Sequence, residues 1–246
     1  MNNNIIFGVR PIIEAIRSGK EIEKILISKN LRGILFQELF SLIRELNISH
    51  QFVPIEKINR ISKKNHQGVI AYISEISYNN IEQIIPLLYE QGKVPFILIL
   101  DQITDVRNIG AIVRTSECAG VDAIIIPTKG SAQINSDAIK ASAGALLSFP
   151  ICKSSNLKNT IKYLKESGLQ IISATEKYDK IYYNIDFTIP TAVVFGSEES
   201  GVSLEIIKIC DDCIKIPITG SIESLNVSVA SGIIIYEAIR QRSLKV

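Results

Sequence analysis

From Pro95 onward the chain alternates short, continuously apolar runs with stretches that repeat at helical spacing. The runs are 96–100, 123–126, 149–151, 170–173, 192–195 and 213–216; helical patterns fall at 108–118, 136–141, 157–166 and 204–210. A strand that is apolar at every position must be covered on both faces, and parallel neighbours need a helical crossover between them. The pattern therefore predicts an α/β fold with a mostly parallel sheet between two helical layers. In such sheets ligands bind beyond the carboxyl ends of the strands. Polar loops at those ends are the places to look for chemistry.

The first 75 residues read as a separate, smaller α/β unit. Gly8-Val9-Arg10-Pro11 opens a helix, with Pro11 in its first turn and Gly19 as its stop. Strands are predicted at 24–28, 51–53 and 69–73, with a helix at 35–46 and a short one at 55–61. Residues 76–94 change character and contain Pro86, so they are expected to be an interdomain linker, leaving 95–246 as the main domain.

Charge is unevenly divided. The net +2 hides 11 Lys/Arg against 7 Asp/Glu in residues 1–75, a balance of +4, and 16 against 18 in the remainder. A basic front unit suits a polyanion. The 46% hydrophobic content excludes a disordered chain, and no apolar run is long enough for a membrane span. The first residues lack the features of a signal peptide, so a cytoplasmic protein with no membrane association is expected. Cys210-Asp211-Asp212-Cys213 is a lone CxxC. A zinc site would need two more ligands, and the histidines His50 and His66 lie far away in sequence; both cysteines are expected to be packed, with no metal.

Three polar stretches sit where a site belongs. Strand 96–100 runs into Asp101 and then Asn108-Ile109-Gly110-Ala111-Ile112-Val113-Arg114, where Asn108 suits a helix entry and Arg114 offers donors for phosphate. A capping Asn and a surface Arg is the plainer alternative. Strand 192–195 runs into Gly196-Ser197-Glu198-Glu199-Ser200-Gly201, whose glycines allow close backbone approach and whose carboxylates suit a cationic or hydroxyl-rich ligand. Ile216-Pro217 leads to Ser224-Leu225-Asn226-Val227-Ser228, which opens a long helix that is apolar nearly all round and so expected to be largely buried. Asn226 at its head either caps it or meets a ligand.

Taken together, Asn108-x-Gly110-Ala111-x-x-Arg114-Thr115, then Phe195-Gly196-Ser197-Glu198-x-x-Gly201, then Ile216-Pro217 with Ser224-Leu225-Asn226-Val227-Ser228 resemble the three motifs of the SpoU (TrmH-like) RNA ribose 2′-O-methyltransferases, in that order, over about residues 95–242. The stretches 8–16 and 66–69 resemble the small L30e/L7Ae-like substrate-binding domain that precedes the catalytic domain in the branch acting on 23S ribosomal RNA. Val106-Arg107 stands where many members have Pro-His.

The resemblance implies a SPOUT catalytic domain whose parallel sheet ends in a deep trefoil knot, and a homodimer with the site near the subunit interface. It implies S-adenosylmethionine held by Gly196, Ser197, Gly201, Ile216, Ser224 and Leu225. It implies Arg114 as the catalytic residue, supported by Asn108, Glu198 and Asn226. Arg10, Arg60, Lys63, Lys64 and His66 become candidate RNA contacts. The expected activity is 2′-O-methylation of a guanosine in 23S ribosomal RNA. A transfer RNA methyltransferase, a resistance-type ribosomal methyltransferase and a catalytically silent RNA-binding protein are the alternatives; Arg114 and Asn226, whose loss would mark the last, are both present.

Overall fold

A computed structural model describes residues 5–244, which fall into two compact units divided between Ser77 and Tyr78. In the first, strands Ile5–Phe7 (β1), Ile22–Ser28 (β2), His50–Val53 (β3) and Val69–Ile73 (β4) form a sheet of order β1-β4-β2-β3. β4 is antiparallel to both its neighbours and β3 runs parallel to β2. Helices Val9–Arg17 (α1) and Ile34–Glu45 (α2) cover one face through Ile12, Ile13, Leu39 and Ile43 against Ile25, Ile27, Val69 and Ala71. Helix Ile55–Ile61 (α3) covers the other, with Ile58 against Leu26, Val53 and Ile70.

The second unit holds helix Ile81–Glu90 (α4) and then alternates: Phe96–Leu100 (β5), Val106–Ala119 (α5), Ala123–Pro127 (β6), Ser136–Ala141 (α6), Ile151–Ser154 (β7), Leu157–Glu166 (α7), Gln170–Ala174 (β8), Thr191–Phe195 (β9), Leu204–Ile207 (α8), Asp212–Ile214 (β10) and Val227–Ser243 (α9). The six strands are parallel at every pairing, in the order β10-β8-β9-β5-β6-β7. Alternate residues of the central strands (Ile97, Ile99, Val194) pack under α4, α7 and α8. On the opposite face α5 and α9 pack together. Gly110 lets α6 close on α5: a Cβ there would sit 2.5 Å from the Ala141 Cβ and 2.7 Å from the Ala138 carbonyl oxygen.

Several expected boundaries move. Residues 76–94 are not a free linker. The Asn79 N–H pairs with the Ile151 carbonyl at 2.8 Å, and α4 buries Ile81, Ile85 and Leu88 in the sheet core. Pro86 does not interrupt this helix; it takes away the N–H that Glu82's carbonyl would accept, and the Tyr163 hydroxyl approaches that oxygen at 3.4 Å. β1 was not expected, and the strand expected at 149–151 starts two residues later, beyond Pro150. α5 begins at Val106 because Asp105 caps it, accepting from the Arg107 N–H at 2.8 Å. The helix expected at 204–210 stops at Ile207, and the strand expected at 213–216 is Asp212–Ile214. α9 is less buried than its composition suggests, leaving Val229 and Tyr236 about half exposed.

Arg242 fastens the end of α9 across the amino ends of two strands. Its guanidinium donates to the carbonyls of Val94 (2.7 Å), Pro95 (3.2 Å), Phe187 (2.9 Å) and Ile189 (3.2 Å) and lies 4.8 Å from the Phe96 ring centroid. Arg242→Ala strips four carbonyls of a charged donor and is expected to cost about 2 kcal/mol. Urea denaturation measures this; an unchanged midpoint would show that the clamp is not structural.

Candidate active site

The three polar stretches meet at the carboxyl edge of the parallel sheet. Asn108, in the first turn of α5, donates from Nδ2 to Glu198 Oε1 at 3.0 Å. Asn226 donates from Nδ2 to Asn108 Oδ1 at 3.1 Å and also to Glu198 Oε1. Asn226 Oδ1 accepts from the Ser228 N–H at 3.0 Å, so the same side chain caps α9. Capping and site-building, alternatives on sequence grounds, are done by the two ends of one amide.

The loop carrying Glu198 is held from within and behind. Gly201 donates to the Ser197 carbonyl at 2.9 Å, with φ of 68°, and the Ser197 and Ser200 hydroxyls lie 2.7 Å apart. A Cβ on Gly196 would fall 1.9 Å from the Gly201 carbonyl carbon, so no other residue fits. Asp101, buried at the end of β5, donates its N–H to the Phe195 carbonyl (2.7 Å) and accepts from the Ser203 N–H (2.9 Å). It ties the far end of the loop to the central strand.

Beside this loop lies a cavity of about 320 Å³ at the carboxyl ends of β8, β9 and β10. Gly196, Ser197, Gly201, Ile216, Ser224 and Leu225 all line it, as does Glu198. Asn108 and Asn226 stand outside it, and so does Arg114, which is exposed on α5 with no hydrogen bond or ion pair among the described residues. The wall also includes Thr175, Glu176 and Lys177 beyond β8 and Ala230 and Ile234 of α9, which the sequence reading did not single out. Their one signal was position: residues 175–177 follow a strand whose neighbours end in the motifs.

The lining suits S-adenosylmethionine. Ile218 and Leu225, both exposed, offer apolar surface to a purine, over a floor closed by Phe195 and Ile214. From Ile216 through Leu225 no backbone N–H or C=O has a partner among the described residues, so both are available to a ligand. Glu176, Glu198, Glu199 and Glu223 outnumber Lys177 and Lys215 around the cavity, a net negative balance that favours a cation such as a sulfonium or ammonium.

In the first unit Arg10 is exposed in the first turn of α1, Arg60 in the last turn of α3, and Lys63 and Lys64 follow it. Lys64 Nζ stands 5.4 Å from the Phe7 ring centroid. His66 departs from its expected role. Its Nδ1 accepts from the Gly68 N–H (3.0 Å) and its Nε2 lies 2.8 Å from Asn59 Oδ1, so both ring nitrogens brace the turn and neither is left for a phosphate.

The cysteines of the CxxC are packed. Cys210 Sγ donates to the Ile206 carbonyl at 3.2 Å, and burial pushes its thiol up to about 12. No cluster of potential metal ligands occurs among the described residues.

Residues 95–236 match the model of the SpoU rRNA Methylase family, and residues 5–79 match that described as RNA 2′-O ribose methyltransferase substrate binding. The chain belongs to the SpoU rRNA Methylase family. A Staphylococcus saprophyticus protein described as a TrmH family tRNA/rRNA methyltransferase is 37% identical over 99% of this chain and 98% of its own. The SpoU methyltransferase AviRb of Streptomyces viridochromogenes, solved with AdoMet, superposes with a TM-score of 0.61 at 25% identity, covering 98% of this chain and 90% of that one. The A. aeolicus TrmH/SpoU tRNA modifying enzyme is 35% identical with a TM-score of 0.57, covering 67% of this chain and 85% of its own. This SpoU chain is thus an S-adenosylmethionine-dependent RNA 2′-O-ribose methyltransferase.

Substitutions at two positions test the geometry. Gly196→Ala is expected to weaken S-adenosylmethionine binding by more than about tenfold, equivalent to 1.4 kcal/mol, with the helical circular-dichroism signal kept; wild-type affinity by calorimetry would refute the tight loop. Asp101→Ala should raise KM for S-adenosylmethionine, whereas Asp101→Asn keeps an acceptor for the Ser203 N–H and should restore much of the loss. Equal effects of the two would show that the carboxylate does not act through that bond.

Proposed function

We propose that this enzyme methylates the ribose 2′-OH of a guanosine in 23S ribosomal RNA. The observation that carries this reading is the front unit, residues 5–79, which matches a substrate-binding model and precedes the catalytic unit in the same chain. A small L30e-like domain of this kind suits a folded RNA target. A second reading, a transfer RNA substrate, is favoured by the 35% identity to the A. aeolicus tRNA modifying enzyme, whose match covers 67% of this chain. Action on ribosomal RNA places the enzyme in the cytoplasm; among the described residues no helix is long and apolar enough to cross a membrane.

The cofactor, when bound, supplies a methyl group already activated on a sulfonium. The protein must then bring a ribose hydroxyl in line and stabilise it as its proton leaves. Arg114 is effectively always protonated, so a proton acceptor is not its role. Its exposed guanidinium suits gripping a phosphate next to the target and offsetting charge that develops on the 2′ oxygen. Asn108, Glu198 and Asn226 hold the two loops and the heads of α5 and α9 in register while this happens. Gly196, Ser197, Gly201, Ile216, Ser224 and Leu225 bind the cofactor.

We also propose a homodimer, and an apolar stripe on α9 supports it. Val229 and Tyr236 are exposed and Ile233 is half-buried, at i, i+4 and i+7 on one stripe, and a second copy packed there would cover it. We further infer the deep trefoil knot of the SPOUT fold. The order β10-β8-β9-β5 leaves the last strand at the sheet edge, while the chain beyond it returns as α9 to pack on α5, the helix that follows β5.

Arg114→Ala is expected to abolish methyl transfer and leave S-adenosylmethionine affinity within about twofold of wild type; an equal loss of cofactor affinity by calorimetry would contradict the role. Removing the front unit, residues 1–77, should leave a folded protein that binds cofactor but methylates ribosomal RNA poorly, and undiminished activity would refute the substrate role of that unit. Mapping 2′-O-methylation in ribosomal and transfer RNA, with and without the gene, decides between the two substrates: a lost ribosomal guanosine mark supports the first reading, and a lost transfer RNA mark overturns it.

A further inference from the structure

We propose that the front unit carries a base-stacking platform at the free edge of its sheet, built from Phe40, His50, Phe52 and Arg44, which takes an unpaired base of the RNA substrate. The proposal rests on the RNA-methyltransferase reading and names the surface through which the front unit holds single-stranded RNA.

α2 has two stripes. Leu39 and Ile43 are at most 1% exposed and fill the core. Phe36, Phe40 and Arg44, at i, i+4 and i+8, form a second stripe in which the Phe36 and Phe40 rings stack at 5.6 Å and 26°. This stripe meets β3, the last strand of the order β1-β4-β2-β3, which among the described residues has a neighbour on one side alone. His50 and Phe52 alternate with the buried Val53, so both project from the α2 side of that edge. The Phe40 ring lies 5.6 Å from His50 and 5.9 Å from Phe52, and His50 and Phe52 stand 5.9 Å apart. Arg44 places its guanidinium carbon 4.5 Å from the Phe40 centroid.

A cluster made to fill the core would be covered, yet Phe52 is 40% exposed. The fully buried core of this unit is built from Ile, Leu, Val and Ala; Phe36 is half-buried against it, and Phe40, His50 and the exposed Phe52 continue from there to the rim. The occupant is indicated by charge and shape. Residues 1–75 carry an excess of four positive charges, and one of those cations, Arg44, sets its planar guanidinium over a platform ring while remaining attractive to phosphate. Rings with a cation set against them are an arrangement by which proteins hold unpaired nucleotides, since every base has a π face. A duplex keeps those faces stacked inside and offers none.

The chain contains no tryptophan, so Phe52→Trp in the full-length enzyme creates a single reporter at the platform. A short single-stranded oligoadenylate is titrated against it, with a blunt RNA duplex of equal length as comparison. Stacking predicts quenching of the tryptophan by the single strand and much weaker quenching by the duplex. Phe52→Ala should bind oligoadenylate on the order of tenfold more weakly, with its thermal midpoint and S-adenosylmethionine affinity unchanged. Absence of quenching together with unchanged affinity in Phe52→Ala overturns the platform. So does a loss in Phe52→Ala that comes with a lowered thermal midpoint, which assigns the ring to packing, or with dissociation into smaller species, which assigns the edge to a second copy. Failure of the wild-type enzyme to methylate any RNA, with quenching intact, would instead overturn the methyltransferase reading and leave the platform standing.

Discussion

The catalytic end of this molecule depends on one carboxylate oxygen. Glu198 Oε1 accepts from the amides of Asn108 and Asn226, residues 90 and 28 positions away in the chain. A loop, the head of α5 and the head of α9 are thereby brought to one point. None of these segments builds a cavity alone. The loop contributes close backbone, α9 contributes Ala230 and Ile234, and the unpaired arc from Ile216 to Leu225 closes the side between β10 and α9. A carboxylate with two amide donors is a stronger junction than a neutral acceptor would be, and it leaves the second oxygen for a ligand.

That junction works because its surroundings are rigid. Asp101 holds the back of the Gly196–Gly201 loop to the central strand, and Gly196 lets the loop fold onto itself where a Cβ would collide. Gly110 allows α5 to sit against α6, and Arg242 pins the far end of α9 to the strand entrances. The helix that presents Asn226 is therefore fixed at both ends, by its own cap and by its last turn. Arg114 is exposed and has no internal partner among the described residues, which leaves its guanidinium free for the phosphate contact proposed for it.

Much of this was legible in the residues. Runs such as Phe96–Leu100, buried at every position, could belong to little other than a covered parallel sheet, and the polar loops at their carboxyl ends come together around one cavity. The six residues assigned to the cofactor share one cavity because Gly196–Gly201 follows β9 and Ile216 follows β10, which flank β8 in the sheet, and the arc to Leu225 closes beside them. What stayed hidden was set by tertiary contact. α4 runs through Pro86 because sheet burial outweighs one lost hydrogen bond. Residues 175–177 line the cavity through the neighbour order of β8, which no local pattern encodes. His66 reads as a candidate RNA contact, but its nitrogens are engaged with Gly68 and Asn59. The rings of Phe40, His50 and Phe52 are separated by a turn and only meet once β3 forms the sheet edge.

The most direct test is a double-mutant cycle between Glu198 and Asn226, each replaced by Ala, read by calorimetric affinity for S-adenosylmethionine. If one carboxylate oxygen organises the pocket, the two losses overlap: the double variant binds no more weakly than the worse single one, with a coupling on the order of 1 kcal/mol or more. Strictly additive losses would mean that the two side chains act independently, and would contradict the junction on which the site is built.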